Sequence, residues 1–199
     1  MKSIKKYPAF IDLSGRNVLI AGGGNACFEK LLGLENTSAK IHIISTFFKP
    51  QVLEYLEKHP EIQCEERPLE ETDLVGRDLI FLATSDSETN AKFRAVAKSL
   101  KTWVNSVDDP NHCDFFSASV IDLGPVQFSI STDGRFAGVS STLRKLLEEV
   151  IPESDSDLFE TLFQMRKELK TILPDIEERR LALKKIIKDL ESTYFRKQK

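Results

Sequence analysis

Short strand-like runs and amphipathic stretches alternate along the first half of the chain. Five runs, the third weaker than the others, predict strands at Val18–Ala21, Lys40–Ser45, Ile62–Glu66, Leu79–Ala83 and Trp103–Val107. Between them, apolar residues at helical spacing predict helices at about Asn25–Asn36, Pro50–Lys58 and Glu88–Leu100. Strands that alternate with helices form parallel sheets through right-handed crossovers. The pattern therefore predicts an α/β fold with a doubly wound parallel sheet.

The pattern changes after Pro110. Two further runs, Phe115–Ile121 and Val126–Ser131, are separated by only four residues, which leaves no room for a crossover helix. Helical spacing follows at Ser140–Val150, Leu158–Leu173 and Ile176–Tyr194. We therefore expect three parts: a parallel-sheet domain at residues 1–112, a small α+β segment at 113–152 and a helical C-terminal domain at 153–199.

Composition narrows the class of protein. Of 199 residues, 41% are hydrophobic and 30% are charged, which is typical of a soluble globular protein. The net charge of −3 gives no general attraction to nucleic acid or to an anionic membrane, and no apolar run is long enough for a membrane span. The basic start at Met1–Lys6 lacks the apolar core of a signal peptide. Cys27, Cys64 and Cys113 fit neither a disulfide framework nor a zinc cluster, so we expect a cytoplasmic protein without a metal site.

Three consecutive glycines end the first predicted strand. Gly22 can adopt the backbone angles of a tight turn, and Gly24 lets a pyrophosphate approach the main chain. The free N–H groups at the start of the following helix favour a phosphate there. In the pattern G-x-G-x-x-G, Cys27 replaces the third glycine, and a purely structural turn would give a similar sequence. The position of the turn, after a strand at the start of a β/α repeat, favours a dinucleotide site.

Polar residues follow several of the predicted strands. Ser45–Thr46, Thr84–Ser85 and Asp108–Asp109 each come where a strand ends. Because the carboxyl ends of parallel strands share one edge of a sheet, we expect these residues to meet the glycine turn there. The sequence therefore predicts a single ligand site at this edge.

Several short motifs occur in a fixed order along the chain: Tyr7–Phe10, the glycine turn with Glu29–Lys30, Val104–Pro110, Cys113–Phe115 and Gly124–Pro125 with Ser129–Ser131. In that order they resemble the motifs of the precorrin-2 dehydrogenase family, which also occurs as the N-terminal module of siroheme synthase. The resemblance covers about residues 7–150. The chain departs from the family pattern at Cys27, at Ser38, at Ser141 and in the stretch Arg135–Val139.

The resemblance implies a Rossmann domain, a central dimerisation segment and NAD-dependent oxidation of precorrin-2 to sirohydrochlorin. Some relatives in this family also insert ferrous iron. The expected cofactor-binding residues lie within or just after the carboxyl ends of the predicted strands: Gly22, Gly23, Gly24, Asn25, Ala26, Ser45, Thr46, Thr84 and Asn105. The family's catalytic aspartate maps onto Asp108, which would take or steer a proton. Precorrin-2 carries many carboxylates, so Arg135 and Arg144 are expected to bind it.

Some alternatives stay open at this stage. Asp108 is also an ordinary turn residue, and Asn105 is as well suited to bracing its loop as to orienting a nicotinamide. His112 and Cys113 are potential metal ligands, but two adjacent side chains make a poor site. A nucleotide-sensing module without activity, or an interaction protein that uses the C-terminal helices, would share much of this sequence. We further expect a homodimer, because strands after the parallel sheet offer unpaired edges, and poor iron insertion.

Overall fold

The computed structural model describes residues 6–132, 134, 136–151 and 156–194. Its strands are β1 Asn17–Ala21, β2 Lys40–Ser45, β3 Gln63–Glu66, β4 Leu79–Leu82, β5 Trp103–Ser106, β6 Ser119–Asp122 and β7 Gln127–Ile130. Its helices are α1 Asn25–Leu34, α2 Pro50–Lys58, α3 Ser87–Ser99, α4 Ala137–Val150, α5 Ser156–Ile172 and α6 Ile176–Tyr194. Two short 3-10 helices lie at Glu71–Leu74 and Pro110–His112.

Five parallel strands form the main sheet in the order β3-β2-β1-β4-β5. This order is the Rossmann arrangement, in which the chain reverses direction across the sheet between β1 and β4. The structure therefore confirms the predicted fold class, and the described residues after the sheet form a hairpin and three helices.

The two faces of the sheet bury alternate residues of the same strands. Val18 and Ile20 of β1 pack on one face with residues of α1 and α2, including Leu31 and Val52. Leu19 and Ala21 pack on the other face with Phe93 and Ala97 of α3. Strands covered on both sides must be apolar throughout, which is why β1 and β4 are continuous apolar runs. The helices thus cover both faces of the sheet and leave its carboxyl edge for a ligand.

The described residues divide into two compact units. One contains the parallel sheet with its helices, up to Ala118, together with the described residues between Ser131 and Ala137. The other contains the antiparallel hairpin β6–β7 and the helices from Gly138 onward. The predicted boundaries at residues 112 and 152 stay a prediction. No helix among the described residues is long and apolar enough to cross a membrane.

Most elements differ from their predicted bounds by one to four residues, and for α1 and β6 the structure gives a local reason. Helix α1 ends at Leu34 because Asn36 adopts a left-handed φ of 61°, which a helix cannot continue. Ser38 is also left-handed, with φ 55°, a conformation that glycine adopts without strain. Strand β6 begins at Ser119 rather than Phe115, because the preceding residues pair with the outer edge of β5 instead. Asp114 N donates to Val104 O at 2.9 Å, and Val104 N donates to the Asp114 carboxylate at 3.0 Å.

Candidate active site

The three glycines of the turn have different surroundings. Gly22 has a φ of +120°, and a Cβ there would lie 2.4 Å from the carbonyl oxygen of Ala83 at the end of β4. A Cβ on Gly23 would lie 2.1 Å from the carbonyl oxygen of Phe47 in the loop after β2. A Cβ on Gly24 would meet no atom within 4 Å. Packing within the protein therefore requires the first two glycines, while Gly24 leaves its backbone open to a ligand. The packing role of Gly23 could not be read from the sequence, because it depends on a loop more than twenty positions away.

The turn opens into a cleft of about 710 Å³ at the carboxyl edge of the sheet. Helix α1 begins at this cleft, and among the described residues no side chain caps its first N–H groups. Uncapped N–H groups at a helix start and an open glycine backbone together suit a pyrophosphate. A cleft of this size falls in the range of small-molecule sites.

Eight of the nine residues expected to bind the cofactor line this cleft. They are Gly22, Gly23, Gly24, Asn25, Ala26, Ser45, Thr46 and Thr84. Asn105 is absent from the described lining, and its buried side-chain amide donates to the Phe115 carbonyl oxygen at 2.9 Å. This is the loop-bracing contact that the sequence left open as an alternative. Ser45 also has a local task, because its hydroxyl donates to Phe47 O at 2.7 Å.

Cations outnumber carboxylates in the described lining. Lys49, Arg67 and Lys92 are the cations, and Asp86 is the carboxylate. The Asp73 side chain accepts from both terminal nitrogens of Arg67, at 2.8 and 2.7 Å, and these bonds raise the pKa of Arg67. Lys49 Nζ instead donates to the neutral side chain of Asn25 at 3.0 Å, so its charge is available to act on a ligand. Arg67 was not among the residues predicted for the site, although its position directly after β3 could have indicated it.

Asp108 follows β5, one residue beyond Val107, which lines the cleft. The Ser106 hydroxyl donates to its carboxylate at 2.5 Å. Partial burial acts to raise the pKa of Asp108, but hydrogen bonds from Ser106, its own backbone, Ser87 and Asn90 lower it below the usual value. Asp108 is therefore ionised at neutral pH.

A buried amide contacts Thr84, which lines the cleft. Asn90 is fully buried in α3, and its Oδ1 accepts from the Thr84 hydroxyl at 2.7 Å. Its Nδ2 donates to the Thr84 carbonyl oxygen at 3.1 Å. Asn90 was not predicted as a site residue. A signal was present, because Asn90 lies three residues before Phe93 and seven before Ala97, and this helical spacing puts a polar side chain on the buried face of α3.

The residues beside Asp108 have structural contacts. Asp109 pairs with Arg94 at 3.0 Å and with His112 at 2.8 Å. The buried Cys113 thiol accepts from Ser106 N at 3.1 Å, and burial raises the pKa of that thiol. Within the described ranges, no three His, Cys, Asp or Glu side chains are grouped as metal ligands.

The two expected substrate-binding arginines lie after the hairpin. Arg144 belongs to the second compact unit, where its guanidinium donates to Glu148 of the same helix at 2.8 Å. Arg135 lies outside the described residues. Their roles stay predictions.

Comparisons with known proteins give the family. A family described as "Putative NAD(P)-binding" matches residues 9–119, more than half of the chain. The siroheme synthase of Zymomonas mobilis is 31% identical over 183 residues, which are 92% of this chain and 39% of that protein. The siroheme synthase of Nitrosococcus oceani is 28% identical over 180 residues, 90% of this chain and 38% of that protein. The chain thus spans well under half the length of these relatives.

A solved structure has the same fold. The protein titled "SirC, precorrin-2 dehydrogenase" superposes with a TM-score of 0.74 at 22% identity, covering 93% of this chain and 91% of its own. The match extends through both compact units of the chain. The resemblance to the siroheme synthase group, stated from the sequence motifs, is confirmed by these similarities, and the chain belongs to the NAD(P)-binding family that residues 9–119 match.

Proposed function

We propose that this protein is an NAD-dependent dehydrogenase that converts precorrin-2 to sirohydrochlorin. The proposal rests on the cleft at the carboxyl edge of the sheet. Its lining contains the open backbone of Gly24, the uncapped start of α1 and the charged side chain of Lys49. The ionised carboxylate of Asp108 follows one residue after the lining residue Val107. The names of the similar siroheme synthases and of the similar dehydrogenase structure suggest the substrate.

The chain's own residues would hold the cofactor by its phosphates. Asn25 and Ala26 line the cleft at the start of α1, where the backbone N–H groups have no side-chain cap among the described residues, and Lys49 adds a positive charge. When bound, NAD supplies a hydride acceptor. Thr46 and Thr84 lie on either side of the turn, where their hydroxyls can bond the sugars.

The reaction removes one hydride and one proton from precorrin-2, so the protein must direct a proton as well as a hydride. We assign the proton to Asp108, whose ionised carboxylate accepts it or passes it to water. Its lowered pKa makes it a weak base, so orientation rather than basicity accounts for its contribution. Arg135 and Arg144 are proposed to bind substrate carboxylates.

We further propose a homodimer in the cytoplasm that inserts iron poorly. His112 and Cys113, the nearest potential metal ligands in the described segment after β5, already contact Asp109 and the β5 backbone. Sirohydrochlorin with ferrous or cobaltous ion, under anaerobic conditions, provides the test of metal insertion. Insertion well above the uncatalysed rate, and lost in Asp108→Ala, would contradict this part of the proposal.

The dehydrogenase proposal has a direct test. Precorrin-2 and NAD are mixed with the protein without oxygen, and absorbance follows formation of NADH and sirohydrochlorin together. We expect equal amounts of both products. Binding of NAD without turnover would instead identify a nucleotide-binding module.

A further inference from the structure

Arg67 lies directly after β3 and lines the cleft beside the end of β2. Its backbone N–H donates to the carbonyl oxygen of Ser45 at 2.9 Å, which fixes it against the last residue of β2. In the strand order β3-β2-β1, this place is two strands from the glycine turn. At the ordinary spacing between strands, that separation is about 10 Å. A dinucleotide whose pyrophosphate occupied the glycine turn would therefore reach Arg67 with one of its two nucleosides.

Most of the hydrogen-bonding capacity of the Arg67 side chain is used within the protein. Nε donates to the Glu65 carboxylate at 2.7 Å, and the two terminal nitrogens donate to the two oxygens of Asp73 at 2.8 and 2.7 Å. Nη1 also donates to the Pro68 carbonyl oxygen at 3.1 Å. Because a guanidinium has five N–H donors, at most one is left for a ligand.

Two carboxylates offset the charge of this guanidinium. Glu65 and Asp73 each lie 2.7 Å from one of its nitrogens, and the Asp73 side chain is only 10% exposed. A ligand phosphate at this point would meet both carboxylates, and it could not form the paired hydrogen bonds by which arginine holds a phosphate. Arg67 is therefore poorly suited to the extra phosphate of NADP, which an arginine accommodates in other Rossmann folds.

The flat face of the guanidinium is what Arg67 can still offer to a ligand. The hydrogen bonds of a guanidinium lie in its plane, so Glu65, Asp73 and Pro68 occupy the edges of the group. The side chain is nevertheless 32% exposed and belongs to the cleft lining. Guanidinium faces stack on aromatic rings and on nucleobases. The in-plane bonds hold the group in one orientation, so little freedom is lost when a ring stacks on it.

Apolar residues lie next to Arg67 in the cleft lining. Pro68 and Leu69 continue the chain from Arg67, and Phe47, which is 52% exposed, follows the end of β2. Apolar and aromatic side chains beside a flat cation suit an aromatic base better than a sugar phosphate.

We propose that Arg67 is a specificity-determining residue that recognises the adenine ring of the cofactor by stacking, with its guanidinium held in one plane by Glu65 and Asp73. The inference rests on the proposed function, since it takes the ligand of the cleft to be a dinucleotide. Asp108 follows β5, on the other side of the glycine turn, so the adenosine half extends over β2 toward β3 and the nicotinamide half toward β4 and β5. Arg67 then adds affinity for adenine nucleotides without distinguishing NADP from NAD.

The NMR signal of the Arg67 Nε–H gives a direct test in the unsubstituted protein. An aromatic ring above the guanidinium shields that proton, so its resonance moves upfield when the ring stacks. A phosphate in the plane of the group does not shield it. We expect an upfield shift on titration with NAD and with AMP, since both carry adenine. A downfield shift, or a signal that has not moved at saturation, overturns the inference.

Arg67→Lys separates the face of the guanidinium from its charge. Lysine keeps a positive charge beside Glu65 and Asp73 but has no planar face. We expect the Kd values for NAD and NADP both to rise by about tenfold, the order of effect of one lost base stack, with their ratio unaltered. Near-normal affinity for NAD in Arg67→Lys, or a change confined to NADP, overturns the inference.

Arg77→Lys is the matched control. Arg77 Nε donates to the backbone carbonyl oxygen of Asp73 at 2.8 Å, but Arg77 lies outside the described cleft lining. The same exchange of arginine for lysine in the same network should leave both Kd values unchanged. Equal losses of NAD affinity in the two variants would show that the network, rather than the face of Arg67, matters for binding, and would overturn the inference.

These measurements separate the inference from the proposed function. An upfield shift with AMP in a protein that does not oxidise precorrin-2 supports stacking on Arg67 and contradicts the dehydrogenase. Turnover of precorrin-2 with NAD while the Arg67 signal does not move upfield overturns the inference and leaves the function standing. A protein that binds neither nucleotide contradicts both.

Discussion

Asp108 and Asp109 are adjacent, yet they differ in their surroundings. Asp108 is exposed and accepts from the Ser106 hydroxyl, whereas Asp109 is paired with Arg94, whose side chain is only 15% exposed. We expect Asp108→Ala to lower the rate of dehydrogenation by about 10²–10⁴-fold, the usual contribution of a proton-transfer group. Because Asp108 is exposed and absent from the described cleft lining, folding and NAD affinity should change little. Turnover, thermal unfolding and cofactor titration measure the three effects.

Asp109→Ala is the control for this prediction. It leaves Arg94 without its carboxylate, so the free energy of unfolding should fall by about 1 kcal/mol while turnover falls much less. Near-normal turnover in Asp108→Ala, or equal losses in both variants, would contradict the assignment of the proton to Asp108.

Alanine substitutions at the second and third glycines of the turn should have different effects, one on stability and the other on cofactor affinity. Gly23→Ala forces a Cβ against the Phe47 carbonyl oxygen, so we expect a loss of about 1–3 kcal/mol in the free energy of unfolding. Gly24→Ala meets no atom of the protein, so its stability should be close to normal while its Kd for NAD rises by about tenfold or more, roughly 1.4 kcal/mol. Denaturant unfolding and calorimetry distinguish the two. A stable Gly23→Ala variant would mean that the loop after β2 does not rest on the turn.

Cofactor preference depends on the residues that come directly after β2. Sites selective for NAD usually carry Asp or Glu there, on the ribose hydroxyl that bears the phosphate in NADP. Here the described cleft has Ser45, Thr46 and Lys49 in that region. We expect NAD to be preferred over NADP by much less than about a hundredfold, the effect of a charge clash of about 3 kcal/mol. Equilibrium titration of both cofactors measures the ratio, and a strong preference for NADP would contradict the prediction.

Lys49→Glu sharpens this prediction. The new carboxylate should weaken NADP at least about tenfold more than NAD, because it opposes the extra phosphate. Lys58→Glu, at the far end of the same helix, makes the same charge change and should leave the ratio of the two affinities unaltered.

At the scale of elements, the apolar runs predicted β1 and β4 most clearly, because residues buried on both faces of a sheet leave few alternatives. The edge strand β3 is exposed at all four positions, which is why its run was the weakest of the five. The segment Phe115–Ser117 was predicted as strand because it is as apolar as the run after it. The structure uses it differently: Phe115 packs edge-on against Phe81 at 5.2 Å, and its carbonyl accepts from Asn105. That choice depends on the open edge of β5, which a local pattern does not contain.

The candidate site, too, could be predicted only as far as local sequence patterns reach. Positions that follow strands converge by topology, so the cofactor residues on β1, β2 and β4 were predictable. Asn90 and Arg67 were not selected, because their importance comes from partners such as Thr84 and Asp73 that only the folded chain identifies. For Asn105 the sequence left two roles open, orienting the nicotinamide and bracing its loop, and its amide donates to the Phe115 carbonyl oxygen as the second role requires.

At the scale of the whole molecule, α4 carries an apolar stripe that the described structure leaves exposed. The stripe consists of Val139, Leu143, Leu146 and Val150, at helical spacing and 40 to 52% exposed. Exposed apolar stripes of this kind mark interfaces, and two-fold pairs are the commonest assembly. We expect a homodimer, and Leu146→Glu should shift it to the mass of a monomer in light scattering at micromolar concentration. Lys145→Glu, the neighbouring exposed position, should leave the dimer intact. A protein that is already monomeric would contradict the prediction.

The contact between Gly23 and the loop after β2 limits how cofactor preference can be redesigned. Lys49 N donates to Gly23 O at 2.9 Å, so the loop that would select the cofactor and the turn that would hold the phosphates share one hydrogen bond. Exchanging side chains at Thr46 or Lys49 keeps that bond, because the main chain makes it. Grafting a longer or shorter loop from another dehydrogenase breaks it. Engineers who wish to alter the preference should therefore substitute residues one by one at constant loop length.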